Sequence, residues 1–164
     1  MVIYDREIKN VEYRYIIEKK DDLYQLKCQQ WNNGAGWNYQ FSPSWVDYDT
    51  GVHIYDDIMS ARRAGNAFLI NQSSCKIIEI QNKMVVWYWD FDESNAAEMP
   101  VDNLVIYDGE YNEVWDIHTF LGREEMCTGV GEVDNITIGF NTWCGIRFEI
   151  DIVTFEEKKR TLTK

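Results

Sequence analysis

Positive charge is nearly absent from one long stretch of this chain. Residues 90–134 hold thirteen Asp and Glu residues and one base, Arg123, while acids and bases elsewhere almost cancel, so the net charge of −12 originates there. Phosphate recognition needs clustered Lys and Arg, so the deficit argues against nucleic acid or an anionic membrane as a direct ligand. Long apolar runs are missing as well. None approaches the roughly 18 residues a membrane helix requires, and the start, MVIYDREIKN, has no apolar core of a signal peptide. The expectation is a soluble cytoplasmic protein.

Other absences narrow the chemistry. The four cysteines, Cys28, Cys75, Cys127 and Cys144, form no CxxC pair, and the two histidines, His53 and His118, form no HxxxH pair. Zinc spacing is therefore lacking, and buried thiols are expected rather than disulfides. Two prolines beside 45% hydrophobic and 15% aromatic residues do not describe a disordered chain. The glycines of GVGE (129–132) do not join a strand to a helix as a phosphate loop would. The run DYDTG (47–51) begins like a calcium loop at Asp47 and Asp49, then places Val52 where glycine belongs and Ile58 where a glutamate belongs. No cofactor or metal is expected.

What is present is a series of strands. In NVEYRYIIE, Val11, Tyr13, Tyr15 and Ile17 alternate with Glu12, Arg14, Ile16 and Glu18, the period of a half-buried strand. With LYQLKCQQW beyond a polar KKDD turn, residues 10–31 read as a β-hairpin. NNGAG (32–36) reads as a loop and WNYQF as a short strand stopped by SPS. Asp56 or Asp57 can cap a helix whose apolar face is Ile58, Ala61, Gly65, Phe68 and Leu69, with Arg62 and Arg63 at its solvent edge. CKIIEI and MVVWYWDF read as strands paired across QNK, ESNAAEMPVDN as an irregular connection, and NLVIY as a strand ending in an Asp108-Gly109 turn.

The run NEVWDIHTFLG suits a helix through Val114, Ile117, His118 and Leu121, ended by Gly122, and also a strand through Trp115 and Ile117; we read it as a helix. NITIGF, a turn near Asn141 and a strand through Ile146–Ile152 complete the pattern, and EEKKR begins a frayed charged tail at 156–164. Strands do not alternate regularly with helices, so the expected fold is α+β: one curved, mainly antiparallel sheet with one or two packed helices, in a single domain of residues 1–164.

The stretch VVWYWDFDE holds the sharpest functional question. As a strand it turns Val85, Trp87, Trp89 and Phe91 to the core and Val86, Tyr88, Asp90 and Asp92 to solvent. Asp90 and Asp92 would lie about 6.6 Å apart at their Cα atoms, within the range of glycosidase carboxylates. Any two acids spaced i, i+2 on a strand do the same, so the spacing is uninformative. Asp116 and His118 can orient one another, yet nothing in the sequence brings a nucleophile to them.

The favoured reading is a non-enzymatic acidic protein that docks onto a basic protein surface. Tyrosines among the carboxylates supply contact area at low entropic cost, and the charge speeds encounter. The candidate partner-binding residues are Tyr88, Asp90, Asp92, Glu93, Glu98, Asp102, Asp108, Glu110, Tyr111, Glu113 and Asp116. In size and charge the chain resembles the small acidic proteins of phages and mobile elements that block CRISPR or restriction nucleases by imitating nucleic acid, and the acidic immunity proteins that neutralise nuclease toxins. That resemblance implies a nuclease or other nucleic-acid-binding protein as the partner. The alternative is a sugar- or nucleotide-binding protein, or an enzyme, with a pocket built from Trp31, Trp37 and Trp45.

Overall fold

Alternating apolar and polar residues drive the first part of the chain into antiparallel strands. β1 (Val2–Glu7), β2 (Tyr13–Lys20) and β3 (Leu23–Asn32) pair in that order. The β2–β3 hairpin keeps register from Tyr13 opposite Gln30 to Lys20 opposite Leu23. Its turn takes a positive φ of 56° at Asp21, a conformation Asp tolerates better than most residues. β4 (Gly36–Asn38) and β5 (Val52–Tyr55) both pair with β3. The computed structural model describes residues 1–7, 13–32, 36–38, 52–89 and 102–163.

α1 (Ile58–Gln72) covers this sheet, packing on β2, β3 and β5. Asp57 caps it, accepting from the Ser60 amide at 2.8 Å and the Ser60 hydroxyl at 2.7 Å. Of the expected apolar face, Ala61, Gly65, Phe68 and Leu69 are buried and Ile58 is half-buried; the helix packs against fully buried Tyr15, Ile17, Leu26 and Cys28. Tyr13 meets Phe68 edge-on, with ring centroids 6.0 Å apart. Residues 1–73 together with 110–112 form one compact unit, and residues 74–109 with 113–164 form a second.

The described residues of the second unit form two four-stranded antiparallel sheets. One runs β6 (Cys75–Ile80), β7 (Lys83–Tyr88), β8 (Leu104–Asp108), β9 (Glu113–Asp116). The other runs β10 (Cys127–Asp134), β11 (Thr137–Thr142), β12 (Ile146–Asp151), β13 (Glu157–Leu162). The β6–β7 hairpin closes through Gln81 and Asn82 at φ 51° and 59°, the two positive values a type I′ turn demands. The core between these sheets contains Val85, Leu104, Ile106, Trp115, Ile138, Phe140, Phe148 and Ile150. Phe120, from the short helix α2 (Ile117–Leu121), joins it, 5.3 Å from Trp115 and 6.0 Å from Phe148 between ring centroids.

Asn103 ties the two sheets at this core. It is fully buried, its Nδ2 donates to the Cys127 carbonyl at 2.9 Å and the Tyr88 carbonyl at 3.2 Å, and its Oδ1 accepts from the Cys127 amide at 2.8 Å. Trp87 Nε1 also donates to the Cys127 carbonyl, at 3.1 Å. Both polar atoms of the Asn103 side chain are thereby matched, as burial requires.

The architecture overturns the expected α+β fold with one curved sheet. Among the described residues the protein is mostly β, with three separate antiparallel sheets and two helices of 15 and 5 residues. The tail expected to fray is instead the edge strand β13, with all six side chains exposed and its backbone paired to β12. The stretch read as one helix is divided: Glu113–Asp116 is strand, and only Ile117–Leu121 is helical, closed by Gly122 at φ 65°. The turn expected near Asn141 falls later, where Trp143–Gly145 separate β11 from β12. Among the described residues, no helix is long and apolar enough to cross a membrane.

Candidate functional site

β9 is an edge strand, and edge strands expose unpaired backbone groups that charged side chains protect from unwanted pairing. Here the charges are Glu113 and Asp116. Pairing of β9 with β8 sets Asp116 opposite Val105 and Glu113 opposite Tyr107, and Asp102 lies just ahead of β8. One carboxylate oxygen from each of Asp102, Glu113 and Asp116 falls within 4.8 Å of the others, with all three residues half-buried. Proximity of this kind raises the free energy of the fully ionised state, and a cation nearby lowers it.

Asp116 also has a structural task. It caps α2, accepting from the Thr119 amide at 2.9 Å and the Thr119 hydroxyl at 2.8 Å. The same Asp-Ile-x-Ser/Thr pattern opens α1 at Asp57 and α2 at Asp116, and in both places the carboxylate satisfies an amide that the helix leaves without an internal partner.

The remaining candidates divide. Asp90, Asp92, Glu93 and Glu98 lie outside the described residues. Asp108 is half-buried at the end of β8. Glu110 and Tyr111 belong to the other unit, where Glu110 lies 3.8 Å from Arg63. Tyr88 is fully buried, its hydroxyl 2.8 Å from that of Tyr107, so its side chain offers no contact surface. The expected faces of β7 fail on this point: both Val85 and Val86 are fully buried, whereas Trp89, read as core, is 49% exposed.

Acids later in the stretch are drawn into local structure. Glu125 is buried, accepts from the Met126 amide at 3.0 Å and lies 3.7 Å from Arg123. Asp134 turns the chain between β10 and β11, and hydrogen bonds from the Ile136 amide and the Thr137 hydroxyl hold its carboxyl below the usual range. His118 donates from Nε2 to the Glu125 carbonyl at 2.7 Å, a role in holding the segment after α2. His53 is buried on β5. None of the four cysteines is in a disulfide: Cys28 and Cys127 are buried, Cys75 half-buried and Cys144 exposed.

A second concavity lies within the first unit. It is an open depression of about 580 Å³ lined by Tyr55, Ser60, Arg63, Ala64, Ala67, Glu110 and Tyr111. Sequence reasoning placed Arg63 at a solvent edge and gave Tyr55, Ser60 and the two alanines no role. The only available signal was the small-residue spacing Ala64/Ala67, which is common in packed helices. Of the tryptophan cluster, Trp31 and Trp37 pair across β3 and β4 in their backbone, while their side chains, Trp45 and the run Asp47–Gly51 lie outside the described residues. Comparison with known protein families gave no match, and a search of curated proteins found no relative.

Proposed function

We propose that this protein is a non-enzymatic acidic binder that docks onto a basic protein surface, and that the partner is a nuclease or another nucleic-acid-binding protein. The reading extends to inhibition by imitation of nucleic acid, as in anti-restriction, anti-CRISPR or toxin-immunity proteins. The observation that carries it is the convergence of Asp102, Glu113 and Asp116 at the β9 edge, within a stretch that has thirteen acids and one base.

Three carboxylates held this close favour a cation beside them, and Lys or Arg from a partner supplies one on binding. The gain is electrostatic, so it weakens as salt screens it. Four cysteines held outside any disulfide fit a reducing compartment, and we place the protein in the cytoplasm.

The test is inhibition of DNA cleavage by a panel of restriction, RNA-guided and toxin nucleases, titrated with the protein at low and high salt. Inhibition of at least one nuclease is expected, falling as salt rises. The Asp102→Lys/Glu113→Lys variant, which leaves the Asp116 cap in place, is expected to lose it while retaining the wild-type circular dichroism. Cleavage unaffected by the protein across the panel, or inhibition indifferent to both salt and the reversal, overturns the proposal.

A further inference from the structure

Three departures from local rules accompany the concavity beside α1, and one of them, Tyr111, lines it. Gly65, a weak helix former, sits in the middle of the helix. Asn66 follows it, polar yet 1% exposed. Tyr111 holds a φ of 65°, a left-handed conformation that a bulky side chain disfavours. They are mechanically linked: Asn66 Nδ2 donates to the Tyr111 carbonyl at 2.8 Å, and Asn66 Oδ1 accepts from the Tyr15 hydroxyl at 2.7 Å. A buried amide thus holds an aromatic wall residue in a strained pose. Local strain of this kind collects where a binding geometry must be fixed in advance.

The lining defines the ligand. Ala64 and Ala67 give a flat floor of methyl groups, and Tyr55 and Tyr111 supply aromatic surface. At the polar end, Arg63 Nη1 and Glu110 Oε2 lie 3.8 Å apart, and Arg63 Nη2 donates to the Ser60 hydroxyl at 3.3 Å. The Arg63 side chain is 36% exposed and that of Glu110 is 78% exposed, so the pair contributes little to stability and can open. A ligand with a single charge would attract one member of this pair and be repelled by the other. A ligand carrying both charges close together satisfies both.

We propose that this concavity binds a small zwitterion, an α-amino acid with an aromatic or large apolar side chain. The ligand carboxylate pairs with Arg63, its ammonium with Glu110, and its side chain lies over Ala64 and Ala67 beside the tyrosines. The volume of about 580 Å³ falls in the range of small-molecule sites. No covalent step is involved. The site is independent of the acidic edge, because the Asp102, Glu113 and Asp116 carboxylates take no part in it.

The experiment is titration calorimetry with L-phenylalanine, L-tryptophan, L-leucine and L-methionine, together with phenethylamine and 3-phenylpropionate as analogues lacking one charge. Saturable binding of at least one amino acid is expected. Each singly charged analogue is expected to bind at least about tenfold more weakly than L-phenylalanine, the factor carried by a lost charge-assisted hydrogen bond. Arg63→Gln should remove the preference for L-phenylalanine over phenethylamine, and Glu110→Gln its preference over 3-phenylpropionate. Both positions are exposed enough for the fold to survive. Absence of saturable binding by all four amino acids overturns the proposal, as does equal affinity for L-phenylalanine and both analogues.

Discussion

The ring of Tyr15 occupies the space where a side chain on Gly65 would begin. A Cβ built at Gly65 falls 2.6 Å from Tyr15 Cγ and Cδ2, closer than carbon atoms approach without displacement. The ring is fully buried and anchored at its hydroxyl by Asn66, so it has little room to yield. Glycine is therefore required here by the approach of helix to sheet, against its own helix propensity.

This yields a prediction in which two effects oppose. Gly65→Ala raises intrinsic helix propensity by about 1 kcal/mol but overpacks the α1–β2 contact at a cost of about 1–3 kcal/mol. The clash is with ring atoms fixed at both ends, so overpacking wins and the variant is expected to be less stable. Denaturant unfolding of Gly65→Ala beside Tyr15→Phe checks it, since the second variant removes the hydroxyl bond without relieving the clash. A Gly65→Ala midpoint at or above wild type contradicts the packing argument.

Strain at Tyr111 is separable from the contacts of its ring. Tyr111→Gly and Tyr111→Ala both remove the ring, but only glycine adopts φ 65° without penalty. The glycine variant is expected to be more stable than the alanine variant by about 1 kcal/mol, even though alanine restricts the unfolded chain more. Equal stability, or a more stable alanine variant, means that position 111 relaxes out of the left-handed region when the ring is gone.

The hairpins were legible in the sequence because period-two patterning is a local signal. The β2–β3 turn, the β6–β7 turn and the apolar face of α1 all lie where the residues place them. The division into three sheets was not legible, since the assignment of each hairpin to a sheet depends on packing between distant segments. Val86 and Tyr88 looked solvent-facing because Asp90 and Asp92 follow them in phase. Both are buried, and the Tyr88 hydroxyl finds Tyr107 inside, an option tyrosine keeps open in any pattern. β13 carried no apolar alternation at all, because pairing with β12 holds it rather than a buried face.

The same reasoning applies to the sites. The carboxylate-rich stretch was plain from composition, but the meeting of Asp102 with Glu113 and Asp116 depends on β8–β9 pairing. The concavity beside α1 was hidden altogether, since Glu110 and Tyr111 reach Arg63 and Asn66 only in the folded chain.

The cysteines are expected to react in a fixed order. Burial pushes the Cys28 and Cys127 thiols up to about 12, so at neutral pH neither supplies thiolate, whereas Cys144 is exposed. Native-state alkylation should label Cys144 first and leave Cys28 and Cys127 until unfolding, as peptide mass mapping would read. The raised values also set a pH dependence. The contribution of these thiols to stability is present below their unfolded value of about 9 and is lost as pH rises towards about 12. Denaturant midpoints should therefore fall across that window, and less steeply in Cys28→Ala or Cys127→Ala. Early alkylation of Cys28 or Cys127 in the folded protein contradicts the burial argument.

Asn103 gives the most demanding test of the second unit. Asn103→Ala leaves the Cys127 amide, the Cys127 carbonyl and the Tyr88 carbonyl without the side chain that now meets them, and the loss is expected to be roughly 3 kcal/mol. Asn103→Asp separates the components of that loss. The introduced carboxyl keeps an acceptor for the Cys127 amide but turns its second oxygen towards two carbonyls in a fully buried position, so its protonated form is favoured and its folded pKa is raised. Stability of Asn103→Asp is then retained below the unfolded value of about 4 and lost as pH rises through the folded value. The gap between Asn103→Asp and wild type should widen with pH, while the gap for Asn103→Ala stays constant over the same range. Unfolding curves for both variants at a series of pH values check this, and a pH-independent Asn103→Asp penalty shows that the carboxyl escapes to solvent and that the tie between the sheets is looser than its hydrogen bonds imply.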